Sequence, residues 1–168
     1  MTKYGIGFVP FAFAAEILLS KVNVGTQHLS TDDPIIKSQA TRDVSLFFPS
    51  ATLYAFAAEL ALKAAIVSLH FKPPRSHDLW KLFSALPSDR ANRFKKQFND
   101  TNFDEKLFAH RAIFEESRYF FEEKMDGSNF SCDVFFMKKL TDTLLSEFAV
   151  ELQDSANGLP VTGTTTAK

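Results

Sequence analysis

The chain has 168 residues, 45% of them hydrophobic and 23% charged, which is enough to enclose one core without metals or disulfides and excludes a mostly disordered protein. With 19 Lys and Arg against 20 Asp and Glu, the formal net charge is −1, which argues against a dedicated nucleic-acid binder built on overall basicity. The lone cysteine, Cys132, forms no internal disulfide and offers no metal cluster, so a reducing compartment, most simply the cytoplasm, is expected, with no cofactor or metal.

From the amino terminus, Lys3 and the run YGIGFVPFAFA, with a small-x-small step at Ala12-Phe13-Ala14, faintly resemble a signal peptide. The three- and four-residue steps of Phe8, Phe11, Ala15, Leu18 and Val22 read better as a first core helix, and Glu16 interrupts the apolar run. No stretch approaches the roughly 20 apolar residues of a membrane span, so no integral membrane protein is expected. From Gly25 to about Thr41 the composition turns to Gly, Ser, Thr, Asp and Pro34, which reads as a connector with at most one short helical turn. Pro49 can open a second helix, with Ser50 and Thr52 as capping candidates. Its apolar stripe is Leu53, Phe56, Ala57, Leu60, Ala64 and Val67, and it runs to about His70, with Glu59 and Lys63 paired four apart on its flank. Pro73-Pro74 end it, since neither can donate a helical hydrogen bond.

Two short helices follow. Ser76 is the candidate cap of the first, which turns Leu79, Leu82, Phe83 and Leu86 inward, and Pro87 with Ser88 opens SDRANRFKKQF. A long helix is expected from about Asn102 through Phe103, Leu107, His110, Phe114, Ser117, Phe121 and Met125 to Asp126-Gly127. A last one starts near Ser131 and buries Met137, Leu140, Leu144, Phe148 and Leu152. The expected fold is therefore all-α: a bundle of four long helices with two short ones inserted after the second, a single domain over 1–156, and a disordered tail over 157–168. Nineteen Phe against three Tyr and one Trp point to a core packed largely with rings.

Two segments carry a family likeness. LYAFAAELALKAAI followed by HDLWKLFSALP, and AIFEESRYFFEE with Arg118-Tyr119 and Glu122, resemble the HEPN superfamily of helical domains. Many HEPN proteins are metal-independent ribonucleases marked by an Arg, four to six residues and a His, and they pair as homodimers. Here Arg42, Arg75, Arg90, Arg93, Arg111 and Arg118 are each followed at that spacing by something other than His, so the nuclease mark is absent. The resemblance then implies a non-catalytic binding or regulatory module, with RNA, a nucleotide or an antitoxin-like partner protein as ligand, in a toxin–antitoxin or defence setting. It also implies a homodimer with the Arg118 helix near its two-fold axis. A divergent metal-independent endoribonuclease and a purely structural interaction domain are the rival readings.

The candidate residues divide along the same lines. Arg118, Tyr119, Glu122 and His77 are the catalytic candidates, since RNA cleavage through its own 2′-hydroxyl needs a proton acceptor and a cation for the developing phosphate charge. Arg118 and Glu122 can equally form a buried network beside Glu59 and Lys63. Glu59, Lys63, Asp78, Lys72 and Arg75 are the ligand-binding candidates. His77-Asp78 reads first as a helix cap, and His110 as a hydrogen-bonded structural histidine. Lys72, Arg75, Lys81, Arg90, Arg93, Lys95 and Lys96 gather around the short helices and could attract phosphate, although a solvated mixed-charge face is the commoner meaning of such a cluster. Cys132, near a helix start, could have a lowered pKa, although a packed thiol fits its surroundings better.

Overall fold

The computed structural model describes residues 8–117 and 132–156, the stretch from 148 onward as backbone. The expected tail over 157–168, and Arg118, Tyr119, Glu122, Phe121 and Met125, lie outside the described residues. Among the described residues the secondary structure is entirely helical. In chain order come α1 (Val9–His28), α2 (Pro34–Ser45), α3 (Phe47–Ser68), α4 (Leu79–Ser84), α5 (Ser88–Phe98), α6 (Phe103–Ala109) and, after a helical segment over 113–117, α7 (Val134–Ala156).

α3 is the axle of the bundle. It packs along α1 on one side and α7 on the other, while α1 also carries α2, and α4 ties α3 to α6. Buried positions occur all around it, from Ser50, Ala51 and Tyr54 to Ala64 and Ile66, so the single stripe through Leu53, Phe56, Leu60 and Val67 is corrected: those four are only half-buried. A helix covered on nearly every side is apolar on nearly every side. Its alanines, Ala51, Ala55, Ala58 and Ala61, let the neighbouring helices approach closely. An 18-residue window within Pro34–Ser68 reaches a mean hydropathy of 1.4, enough by length and composition to cross a bilayer, contrary to the expectation that no stretch comes near. Since 61% of that window is buried inside the bundle, its place in the core accounts for its apolarity.

Five of the rings gather in one part of the core. Phe83, Phe94, Phe98, Phe103 and Phe136 form a continuous cluster with centroids 4.9–6.2 Å apart, between α4, α5, α6 and α7. Edge-on and tilted geometries predominate, as ring quadrupoles favour. The alanine-lined region and this ring cluster together make one core.

Two expected connections take a different form. The connector over 25–41 is largely helical: its first residues close α1, and α2, a 12-residue helix, opens at Pro34 and runs beyond the connector to Ser45. Asp33 caps α2 by accepting from the Ile35 and Ile36 amides at 2.8 and 3.2 Å, and Pro34 occupies its first turn, where no amide is needed. The expected long helix from Asn102 breaks at 110–112. Ile113, 1% exposed, enters the core, and the break re-phases the chain so that it, rather than His110, fills the next inward position. His110 stitches the break instead. Its Nδ1 donates to the Lys106 carbonyl at 2.8 Å, and its Nε2 accepts from the Asp133 amide at 2.8 Å, just where α7 begins.

Candidate functional site

α3 ends in a tight motif before the two prolines are reached. The amides of His70 and Phe71 donate back to the carbonyls of Val67 and Ile66, and His70 adopts the left-handed backbone conformation with φ 63°. This turns the chain sharply, so the segment from Lys72 to Ser76 runs back beside the helix it has just left. Ser76 does not cap α4 as expected. It accepts from the Asp78 amide at 3.0 Å, and Asp78 is the cap, its carboxylate accepting from the Lys81 amide at 2.9 Å. The Leu79 amide donates to the Arg111 carbonyl at 2.9 Å, which fixes the start of α4 against the 110–112 break.

The return of the chain brings His77 onto Glu59. His77 Nδ1 donates to the Glu59 carboxylate, 2.9 Å from Oε2 and 3.0 Å from Oε1, and Lys63 Nζ donates to Oε1 at 2.6 Å. Glu59, expected on the flank of its helix, is 2% exposed, whereas the His77 side chain is 44% exposed. One buried carboxylate thus holds two nitrogen donors, the arrangement that lets a charge persist out of water. With Nδ1 committed, His77 Nε2 has no hydrogen-bond partner among the described residues. Phe114 packs against the imidazole at 5.3 Å between centroids and stacks in turn on Phe56 at 5.0 Å. Together they back the ring with apolar surface and limit its rotation.

Of the sequence candidates, the structure brings together Glu59, Lys63 and His77, with Asp78 adjoining. Lys72 and Arg75 are exposed on the loop that leads into His77 and make no ion pair with another described residue. The rest of the basic cluster is largely committed: Arg90 and Arg93 reach Glu147 at 4.0 and 3.2 Å, Lys95 reaches Asp104 at 2.6 Å, and Lys81 lies 3.9 Å from Asp78. Arg118, Tyr119 and Glu122 lie outside the described residues. Cys132 is the packed thiol rather than a lowered-pKa one: burial, helped by the charges of Asp133 and Glu116, pushes its thiol up to about 12.

Sequence reading missed two features. Phe114 appeared only as a stripe residue, because its support of His77 depends on a loop closing over it. Phe71, exposed beside Lys72, is an aromatic side chain on the same loop as the free cations. A second polar cluster, far from His77 in the chain, links three helices: the Tyr54 hydroxyl donates to Glu16 Oε2 at 2.6 Å, and Lys138 Nζ reaches both Glu16 Oε2 and Asp142 Oδ2 at 2.8 Å. Lys138 first, then Tyr54, holds the Glu16 carboxyl below its usual range, and burial first, then Glu16, raises the Tyr54 phenol.

A family model for the HEPN domain matches residues 48–131, half of the chain, from the start of α3 to the residues just before α7. The chain belongs to the HEPN domain family. In this HEPN domain the matched half contains the whole Glu59–Lys63–His77 constellation, while α1, α2 and α7 lie outside the match and supply much of the packing around α3. No curated protein and no solved structure gives a significant match.

Proposed function

We propose that this HEPN domain is a homodimeric binding module for a phosphate-bearing ligand, RNA or a nucleotide, in a toxin–antitoxin or defence setting. The observation that carries the reading is the loop 71–77: it holds Phe71, Lys72 and Arg75 exposed, and buried Glu59 anchors its end through His77. Lys and Arg attract phosphate by charge, and an exposed ring offers a face on which a base can stack. A loop fixed at one end loses less freedom on binding, which favours affinity.

Fluorescence anisotropy with labelled single-stranded RNA, repeated with a labelled adenine nucleotide, tests this. Lys72→Ala/Arg75→Ala is expected to weaken binding at least tenfold and to flatten the salt dependence by a slope of about 1.4, two phosphate contacts on a single strand. Wild-type protein that ignores both probes would favour the purely structural interaction domain, and a double variant that binds as well as wild type would remove the loop from the site.

One observation favours a second reading, a divergent metal-independent ribonuclease. An imidazole whose Nδ1–H is held by a carboxylate presents Nε2 as a proton acceptor, the geometry of a general base. RNA cleavage by the wild type, lost in His77→Asn and in Arg118→Ala with the fold retained, would establish it.

A further inference from the structure

Six of the ten exposed large apolar side chains among the described residues lie on α1 and the first turn of α2. On α1, Val9, Phe13, Ile17 and Val24 fall within one quadrant of the helix, since each residue turns it about 100°. That quadrant faces away from Ala12, Ala15, Leu19 and Val22, which are buried. Ile35 and Ile36 of α2 extend the stripe at its Val24 end, where a groove of about 330 Å³ opens between the two helices. Phe13, 67% exposed, and Ile35, 78% exposed, are its most prominent members.

We infer that this face is the surface through which two copies of the chain pair. The inference rests on the homodimer reading above and gives it a location, on α1 and α2 in place of the Arg118 helix. Size supports a second copy. The six side chains expose on the order of 600 Å² per copy, taking about 150–250 Å² for a fully exposed large side chain. That is the upper end of what a lone monomer carries and approaches the roughly 800 Å² per partner of a standard interface, with Lys21, Gln27 and Gln39 supplying a polar rim. Shape supports it as well. A two-fold axis crossing α1 midway between Phe13 and Val24 sets the protruding Phe13 ring of one copy at the mouth of the groove beside Val24 of the partner subunit, and the reverse, so each copy supplies both knob and hole. Phe11, on the opposite side of α1, meets Phe56 at 4.7 Å and leads through it to Phe114 and His77, so the loop 71–77 of each copy stays open. The dimer therefore presents two ligand loops at once, which strengthens binding to any ligand long enough to reach both.

Light scattering coupled to size exclusion, across micromolar concentrations, tests the surface. The wild type is expected at twice the 18.9 kDa chain mass, and Phe13→Asp and Ile35→Asp at 18.9 kDa with helical circular dichroism and melting unchanged. Phe135→Asp, on the exposed side of α7, should remain dimeric. Methyl resonances of Val9, Ile17 and Ile35 in the wild type should also shift with concentration, a readout that needs no variant. A wild type at 18.9 kDa throughout would overturn both the homodimer reading and its location. A dimer that survives both aspartates, or methyl signals that ignore concentration, would overturn the location alone.

Discussion

Glu59 shows how one side chain can serve the fold and the site together. A carboxylate that is 2% exposed accepts from both Lys63 and His77, and neither partner is itself fully buried. Glu59→Gln removes the charge but keeps the shape, leaving the Lys63 ammonium beside a neutral amide and His77 without its anchor. We expect a loss of about 3 kcal/mol, the lower end for breaking a buried pair, because the partners retain some water. Urea unfolding followed by circular dichroism measures it, and a variant within about 0.5 kcal/mol of wild type, the range of ordinary surface changes, would show the pair to be energetically idle. Cys132 is a simpler case at the same scale: with its thiol pushed up to about 12, it should react only slowly with a disulfide reagent at neutral pH unless the protein is first unfolded.

At the scale of elements, two positions respond to substitution in opposite ways. Gly25 lies where α1 crosses α2, and a Cβ there would come within 2.8 Å of the Asp43 Cβ and 2.9 Å of the Ala40 carbonyl oxygen. Alanine normally stabilises a helix by about 1 kcal/mol over glycine. Here the forced separation of two backbones should reverse the sign, giving a net loss of about 1–3 kcal/mol in Gly25→Ala by thermal unfolding. His70, by contrast, holds a left-handed conformation that costs an L-residue about 1–2 kcal/mol, so His70→Gly should raise stability by up to about 1 kcal/mol.

The helices themselves were legible because apolar residues recur every three or four positions, and the proline pair marked the end of α3 to within a few residues. α2 was hidden in a Ser-, Thr- and Asp-rich stretch whose Asp33-Pro34 is in fact a cap followed by a first turn, while Ile35 and Ile36, its most apolar residues, point outward. The break at 110–112 was invisible for a different reason: the pattern through Leu107, His110 and Phe114 is sound helical spacing, and only contact with Asp133 and the burial of Ile113 reveal the re-phasing. In the site, Glu59 and Lys63 could be paired from their four-residue spacing. The attachment of His77, 18 residues on, depends on how the loop doubles back, which no local pattern encodes.

For the whole molecule, the cluster of Glu16, Tyr54, Lys138 and Asp142 joins α1, α3 and α7 and gives stability a dependence on pH. Glu16 titrates in the folded state below its ordinary 4.5, so its contribution is complete above that value and is lost as pH falls through the lower folded value. Tyr54 titrates above its ordinary 10.0, so its contribution is complete below that value and is lost as pH rises beyond it. Melting temperature plotted against pH should therefore fall off at both ends. Tyr54→Phe should flatten the alkaline limb and leave Lys138 to hold Glu16 at the acid end. An alkaline limb unchanged in that variant would place the titrating group elsewhere.

The stitch made by His110 bears on how this fold tolerates change. Its ring joins two points 23 positions apart in the chain, so whatever lies between them departs from and comes home to a single corner of the bundle. An insertion placed after Ser117, past the buried Ile113 and the Phe114 that backs His77, should therefore leave the seating of α7 on α3 unaltered, because the clasp fixes Asp133 at the head of that helix.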